Sequence, residues 1–216
     1  MHLITLDSET DFEGWRKAAR ALVQNQVPSA EVRWNVCGDA PDRSGPLSNA
    51  PLQALHGNFN VPARFIELAR SAILHRDPER FALLYRLLWR LRGNHDLLAA
   101  AADSDVAQVE AMAKTVHRDA HRMRARVRFR EIGREHKSHF VAWFEPAHHV
   151  VERAAPFFAR RFADMPWSIL TPDVCAHWDG HAVSITPGIA KTETPTEHRL
   201  EETWRRHYAR IFNPAR

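Results

Sequence analysis

The chain has 216 residues, 44% of them hydrophobic, a formal net charge of +4 and a pI near 9.5. That length fits one large domain or two small ones, and the apolar content is that of a chain with a buried core, not of a disordered one. Cys37 and Cys175 stand far apart with no CxxC pair, which sets aside a cysteine zinc site or an iron–sulfur cluster and fits a reducing cytoplasm. No apolar run approaches the length of a membrane span and no basic-then-apolar leader opens the chain. The expectation is a cytoplasmic protein with no membrane partner.

In chain order, His2 to Leu6 and Val32 to Val36 read as short strands. Between them Phe12, Trp15, Ala18, Ala19 and Leu22 recur at helical spacing over Asp11 to Gln24. Gly38 to Pro51 is rich in Gly, Pro and Ser and reads as a loop that sets off a small N-terminal lobe, residues 1–50, from a core over residues 51–216 of one domain. Val61 to His75 is helical. Asp77-Pro78-Glu79 then gives an N-cap, a first-turn proline and an early acid to a helix that stops at Gly93. Asp103 to Met123 is a further helix. Phe140 to Phe144, Trp167 to Leu170, Val174 to Trp178 and Ala182 to Ile185 read as strands, with Asp179-Gly180 as a type I′ hairpin turn. Pro156 should kink or split a helix that starts at Glu145-Pro146, and Arg199 to Phe212 closes the chain as an amphipathic helix. Helices come early and strands late. The fold class expected is α+β, a helical N-terminal half packed on an antiparallel sheet built mainly from the C-terminal half.

The kind of basic residue says more than the net charge. Lysine appears four times and arginine supplies the other 26 of the 30 basic residues; arginine grips phosphate or carboxylate bidentately, which lysine does not. Arg124, Arg126, Arg128 and Arg130 alternate with Ala125, Val127 and Phe129. Period two is the signature of a strand, here with one guanidinium face and one apolar face. Arginines two apart on a strand lie roughly 6.6–7 Å from each other, close to the phosphate spacing of an extended single strand. Arg118 and Arg122 upstream, and Lys137 and His139 in the following hairpin, could extend such a surface. The alternative is a solvated sheet face paired with Glu131 and Glu135.

Three other groups carry chemistry. His117 and His121 share a helix face but lack a third ligand, so no metal is expected there. Trp143 and Glu145 fall on one strand face, and Pro146 opens a helix with His148 and His149 in its first turn. A helix N-terminus suits phosphate, and Glu145, His148, His149 and His121 are the candidate acid–base groups. Trp178, before the Asp-Gly turn, reads as cross-strand packing more than base stacking. No phosphate loop, dinucleotide fingerprint, nucleophile elbow or deaminase signature is present, and no cofactor is expected.

The blocks RDAHRMRARVRFRE (118–131) and FVAWFEPAHHV (140–150), with VPARFIELARSAILHRDPERFALLYRLLWRL and IFNPAR, resemble an uncharacterised bacterial domain usually called a "probable DNA metabolism protein". The resemblance runs from about residue 3 to the end. Members of that family occur beside a DNA-repair radical-SAM protein or fused N-terminal to a UdgX-type uracil-DNA glycosylase. What this implies is DNA as the polyanion and one of those proteins as a partner. The first expectation is therefore a DNA-binding accessory module. Arg122, Arg124, Arg126, Arg128 and Arg130 would hold phosphates, with Trp143, His148 and His149 along the same groove. The alternatives are a nuclease or base-processing enzyme using Glu145, His148 and His149, and a protein-interaction domain whose arginines meet an acidic partner.

Overall fold

The computed structural model describes residues 1–37, 60–100, 102–132 and 138–189, with Glu202, Trp204, Arg205, Arg206 and Ala209 of the closing helix. The expected 38–51 loop, Lys137 and most of the closing helix lie outside the described residues. The chain is α+β and divides into two units, Met1–His117 and Arg118–Arg216.

The first unit pairs β1 (His2–Leu6) in parallel with β2 (Val32–Val36), His2 opposite Val32 and Leu6 opposite Val36. Parallel neighbours need a crossover, and helix α1 (Phe12–Gln24) supplies it. Asp11 caps α1, its Oδ1 accepting from Gly14 N–H at 2.8 Å. Trp15 is 1% exposed and lies among Phe12, Trp34 and Phe65, and its indole donates to the Phe81 carbonyl at 3.2 Å. Helices α2 (Ala63–Ala72) and α3 (Arg80–Leu91) complete the apolar core. Helix α3 begins one residue after the expected Asp-Pro-Glu cap. Asp77 Oδ1 instead accepts from Glu79 N–H at 2.9 Å in the turn that leads into it.

Arg80, 1% exposed, is the buried charge of this unit. Its guanidinium donates to the carbonyls of Ile73 (2.6 Å), Asp77 (2.9 Å) and Glu9 (2.9 Å) and to the Glu9 carboxylate. Arg86 and Arg90 hold Asp105 and Asp103 at the start of helix α4 (Ser104–Arg126), where Asp103 Oδ1 accepts from the N–H groups of Asp105 and Val106.

The second unit holds a five-stranded sheet of order β3-β4-β5-β6-β7, formed by Arg130–Ile132, His139–Trp143, Trp167–Leu170, Val174–Trp178 and Val183–Pro187. All neighbours are antiparallel except β4 and β5. The expected α+β class with its C-terminal antiparallel sheet holds, and the one parallel pair has its cause in helix α5 (Val151–Arg161), which carries the chain back between the two strands. Pro156 lies inside α5 and does not split it. The turn after β6 is not type I′, because only Gly180 has positive φ (+101°) where that turn needs two such residues. Asp179 Oδ1 holds the turn by accepting from the N–H groups of His181 and Ala182, both at 2.8 Å, and these bonds lower its pKa.

Strand alternation divides the sheet. Ile132, Val141, Leu170 and Cys175 form an apolar cluster on one face, with Trp143 and Trp204 packed against it. On the other, Trp167 meets Phe158 of α5 at 6.1 Å and Phe129 at 5.8 Å. No described helix is long and apolar enough to cross a membrane.

Replacing Arg80 with methionine fills similar volume but leaves three carbonyls and the Glu9 carboxylate without their donor. Such a loss costs about 3 kcal/mol. A urea titration of the variant should show a midpoint lowered accordingly, and an unchanged midpoint would remove Arg80 as the organiser of this unit.

Candidate nucleic-acid interface

The arginine-rich segment is a helix-to-strand junction, not a single strand. Helix α4 runs to Arg126, Val127 N–H still reaches the Met123 carbonyl at 3.0 Å, and β3 starts only at Arg130. Met123 and Val127, four apart, are 0% and 7% exposed, so the helical apolar period continues past Met123 and outweighs the local alternation of Ala125, Val127 and Phe129. The arginines therefore do not share one face. Residues two apart on a helix point about 200° from each other around the axis, which separates Arg124 from Arg126.

Each guanidinium has its own setting. Arg122 donates to Asp119 Oδ1 at 2.6 Å, lies 5.9 Å from the Phe144 ring centre, and keeps a buried Nε with no hydrogen-bond partner. Arg124 Nε donates to the Ala120 carbonyl at 3.3 Å, and its guanidinium sits 5.7 Å from the Phe157 ring of α5. Arg128 turns back and donates to the carbonyls of Ala125 (2.7 Å) and Val127 (3.1 Å), so it caps the C-terminal end of α4. Arg126 and Arg130 are exposed, Arg130 in the ladder opposite Val141. Among the described residues, Arg124, Arg126 and Arg128 have no carboxylate partner.

The sequence signal missed Arg153, the residue on α5 that completes this group. Burial lowers the pKa of its guanidinium, and the like charge of Arg124 lowers it further. Arg124 of α4 and Arg153 of α5 thus lie near enough to feel each other's charge. Arg153 stands outside the alternating run, so no local pattern marks it.

The Glu145-Pro146 segment does not start a helix. Residues 144–150 form a loop, and α5 begins at Val151 with Val150 as its N-cap. His148 and His149 therefore precede the helix and do not sit in its first turn. Asp119 ties this loop to α4. Its carboxylate is buried (residue 5% exposed), its Oδ1 is taken by Arg122, and its Oδ2 accepts the backbone N–H of His148 at 2.9 Å. Glu145 is exposed and accepts from the Trp143 indole at 3.3 Å. His149 Nδ1 lies 3.8 Å from Asp173 Oδ2. Glu145, His148 and His149 thus contact three different residues, His148 through its backbone. His121 is exposed on α4, while His117 Nε2 lies 3.2 Å from Ser71 Oγ. Among the described residues, no group of three or more His, Cys, Asp or Glu side chains is placed to hold a metal.

His139 does not add a cation to the surface. It opens β4, stacks on the Trp204 indole at 4.7 Å and bonds through Nε2 to Ser168 Oγ at 2.8 Å, and burial pushes its pKa down to about 4.

Residues 78–216 match the family model of DUF4130, a domain of unknown function, and the chain belongs to that family. No curated protein and no solved structure matches the chain.

Two predictions follow from this geometry. Asp119→Ala removes the carboxylate that ties the 144–150 loop to α4, costing about 1–3 kcal/mol. Hydrogen exchange at the His148 amide should accelerate well beyond that of the sheet amides, and unchanged protection would refute the tether. The second concerns pH. The folded pKa of His139 lies below the ordinary histidine value of 6.5, so below that pH the unfolded chain takes up a proton that the folded one refuses. This contribution to stability is complete above about pH 6.5 and is lost as pH falls towards about 4. His75 is shifted in the same direction. The check is therefore comparative: denaturation of His139→Gln between pH 4 and 7 should be flatter than that of the wild type.

Proposed function

We propose that this protein is a DNA-binding accessory module that holds the phosphate backbone at the junction of α4 and β3. The supporting observation is the treatment of charge. Arg124, Arg126 and Arg128 keep their full charge beside carbonyls, a phenyl ring or solvent, and Arg153 is drawn towards Arg124. An anion with several oxygens relieves that repulsion, and a chain of phosphates does so at several arginines at once. The arrangement differs from the first unit, where Arg64, Arg70, Arg86 and Arg90 each face a carboxylate.

Trp143 ends β4, and His148 and His149 belong to the following loop that Asp119 ties to this junction. They are assigned as flanking contacts to the same strand. The resemblance to "probable DNA metabolism" proteins supports DNA as the polyanion, in a DNA-repair setting. A uracil-DNA glycosylase or a radical-SAM repair protein is the partner class it implies.

The test is a titration of the purified chain with single- and double-stranded DNA over a salt series. Log affinity should fall linearly with log salt, and the slope should shrink by about 0.7–0.9 for each phosphate contact removed. Arg124→Ala with Arg126→Ala should weaken binding across all sequences and flatten the slope by about 1.4–1.8. Absence of binding at low salt, or an unchanged slope in the double variant, would overturn the proposal.

A further inference from the structure

The apolar-cluster face of the sheet also carries a polar row. Ser168, 0% exposed on β5, lies between two imidazoles, with His139 Nε2 of β4 at 2.8 Å and His177 Nδ1 of β6 at 2.7 Å. His177 Nε2 continues to Thr186 Oγ1 of β7 at 2.9 Å. A hydroxyl has one proton to give and two lone pairs to fill, and the third position at Ser168 is taken by the Trp204 indole N–H at 3.1 Å. The four sheet residues are fixed by the strand ladder. The fifth member, Trp204, comes from outside the sheet.

Its geometry resembles that of a ligand. The indole ring lies over the His139 imidazole at 4.7 Å with 27° between the planes, and its ring N–H points to a hydroxyl. A planar heteroaromatic ring, stacked on one side and read at one edge, is what a binding site for a nucleobase presents to its guest. We infer that His139 and Ser168 form a nucleobase site, that Trp204 fills it in this structure, and that a base of single-stranded DNA competes with the indole for the place.

Three further observations fit. Trp143, four residues along β4 from His139 on the same face, packs against the same apolar cluster as Trp204 and offers a second ring. Arg130 lies opposite Val141 while His139 lies opposite Ile132, which places a cation and the stacking imidazole about 6–7 Å apart along the strands, on the order of one nucleotide. The hydroxyl is also adaptable. With protons on both His139 Nε2 and His177 Nδ1 it donates to the guest, and with either nitrogen unprotonated it donates to that ring and accepts from the guest, so the row accommodates an edge that gives or accepts a hydrogen bond. The site therefore takes a base without choosing which one.

The strand that carries this base is the one whose phosphates the proposed function assigns to the junction arginines, so the inference rests on that reading. The experiment separates the two. In the full chain, uridine and adenosine, which carry no phosphate, are titrated against the wild type, Trp204→Ala and Trp204→Phe, following the His139 ring resonances. Trp204→Ala should bind nucleoside at least tenfold more tightly than the wild type. Trp204→Phe, which keeps the stacked ring and loses the N–H, should fall between them and serves as the informative variant should the alanine chain fail to fold. Adding His139→Leu to either variant should abolish the gain. Oligothymidylate should also outcompete an abasic oligomer of equal length by about tenfold on Trp204→Ala. Equal nucleoside affinity in all three proteins would overturn the base site. If base-bearing and abasic oligomers bind alike with a steep salt slope, the base site fails and the phosphate reading stands. If nucleoside binds Trp204→Ala as expected but no oligomer binds in a salt-dependent way, the phosphate reading fails alone.

Discussion

The second unit depends on how one buried carboxylate is satisfied. Asp119 enters the core from α4, and a carboxylate there needs both oxygens engaged. One takes the Arg122 guanidinium and the other takes the His148 amide, 29 residues further along the chain. These two bonds fix the last turns of α4 against the loop between β4 and α5. α5 starts at Val151, just after this tethered loop, and Phe157, Phe158 and Arg153 take their places from there. The arginines at the end of α4 then meet Arg153 and Phe157 on α5, and a group of cations arises from two helices and a strand instead of from one strand.

Much of the architecture was legible in the sequence because apolar periodicity and burial agree. Helical spacing located α1, α3 and most of α4, and the last four strands were recognised from short apolar runs. What was not legible depended on contacts between distant residues. Nothing local says that β4 and β5 run parallel, since that follows from the return of α5. At Arg124 to Arg130 two periods compete over the same residues. The alternation is the more visible, but Met123 and Val127 are the residues that become buried, and their four-residue spacing decides for helix. Glu145-Pro146 resembles a helix start because proline suits a first turn, yet residues 144–150 stay a loop and the helix begins at Val151.

The candidate site was legible by residue type more than by arrangement. An arginine-rich segment next to Trp143 and His148 was recognisable, and the structure gives each arginine a different task. Arg128 caps a helix, Arg122 neutralises Asp119, and Arg124, Arg126 and Arg130 remain at the surface with Arg153. The row His139–Ser168–His177–Thr186 left no sequence signature, because its members come one from each of four strands and only the sheet register aligns them. His139, read from the sequence as a turn cation, is kept neutral by the same burial that makes it a stacking surface.

The most direct test of the account is to observe the arginines themselves. Side-chain Nε–H resonances of the full chain can be followed while single-stranded DNA is added at low salt. Arg124, Arg126, Arg130 and Arg153 should shift together and saturably, while Arg80, Arg86 and Arg90 stay in place. Binding that moves the first-unit arginines and leaves those four unchanged would contradict it.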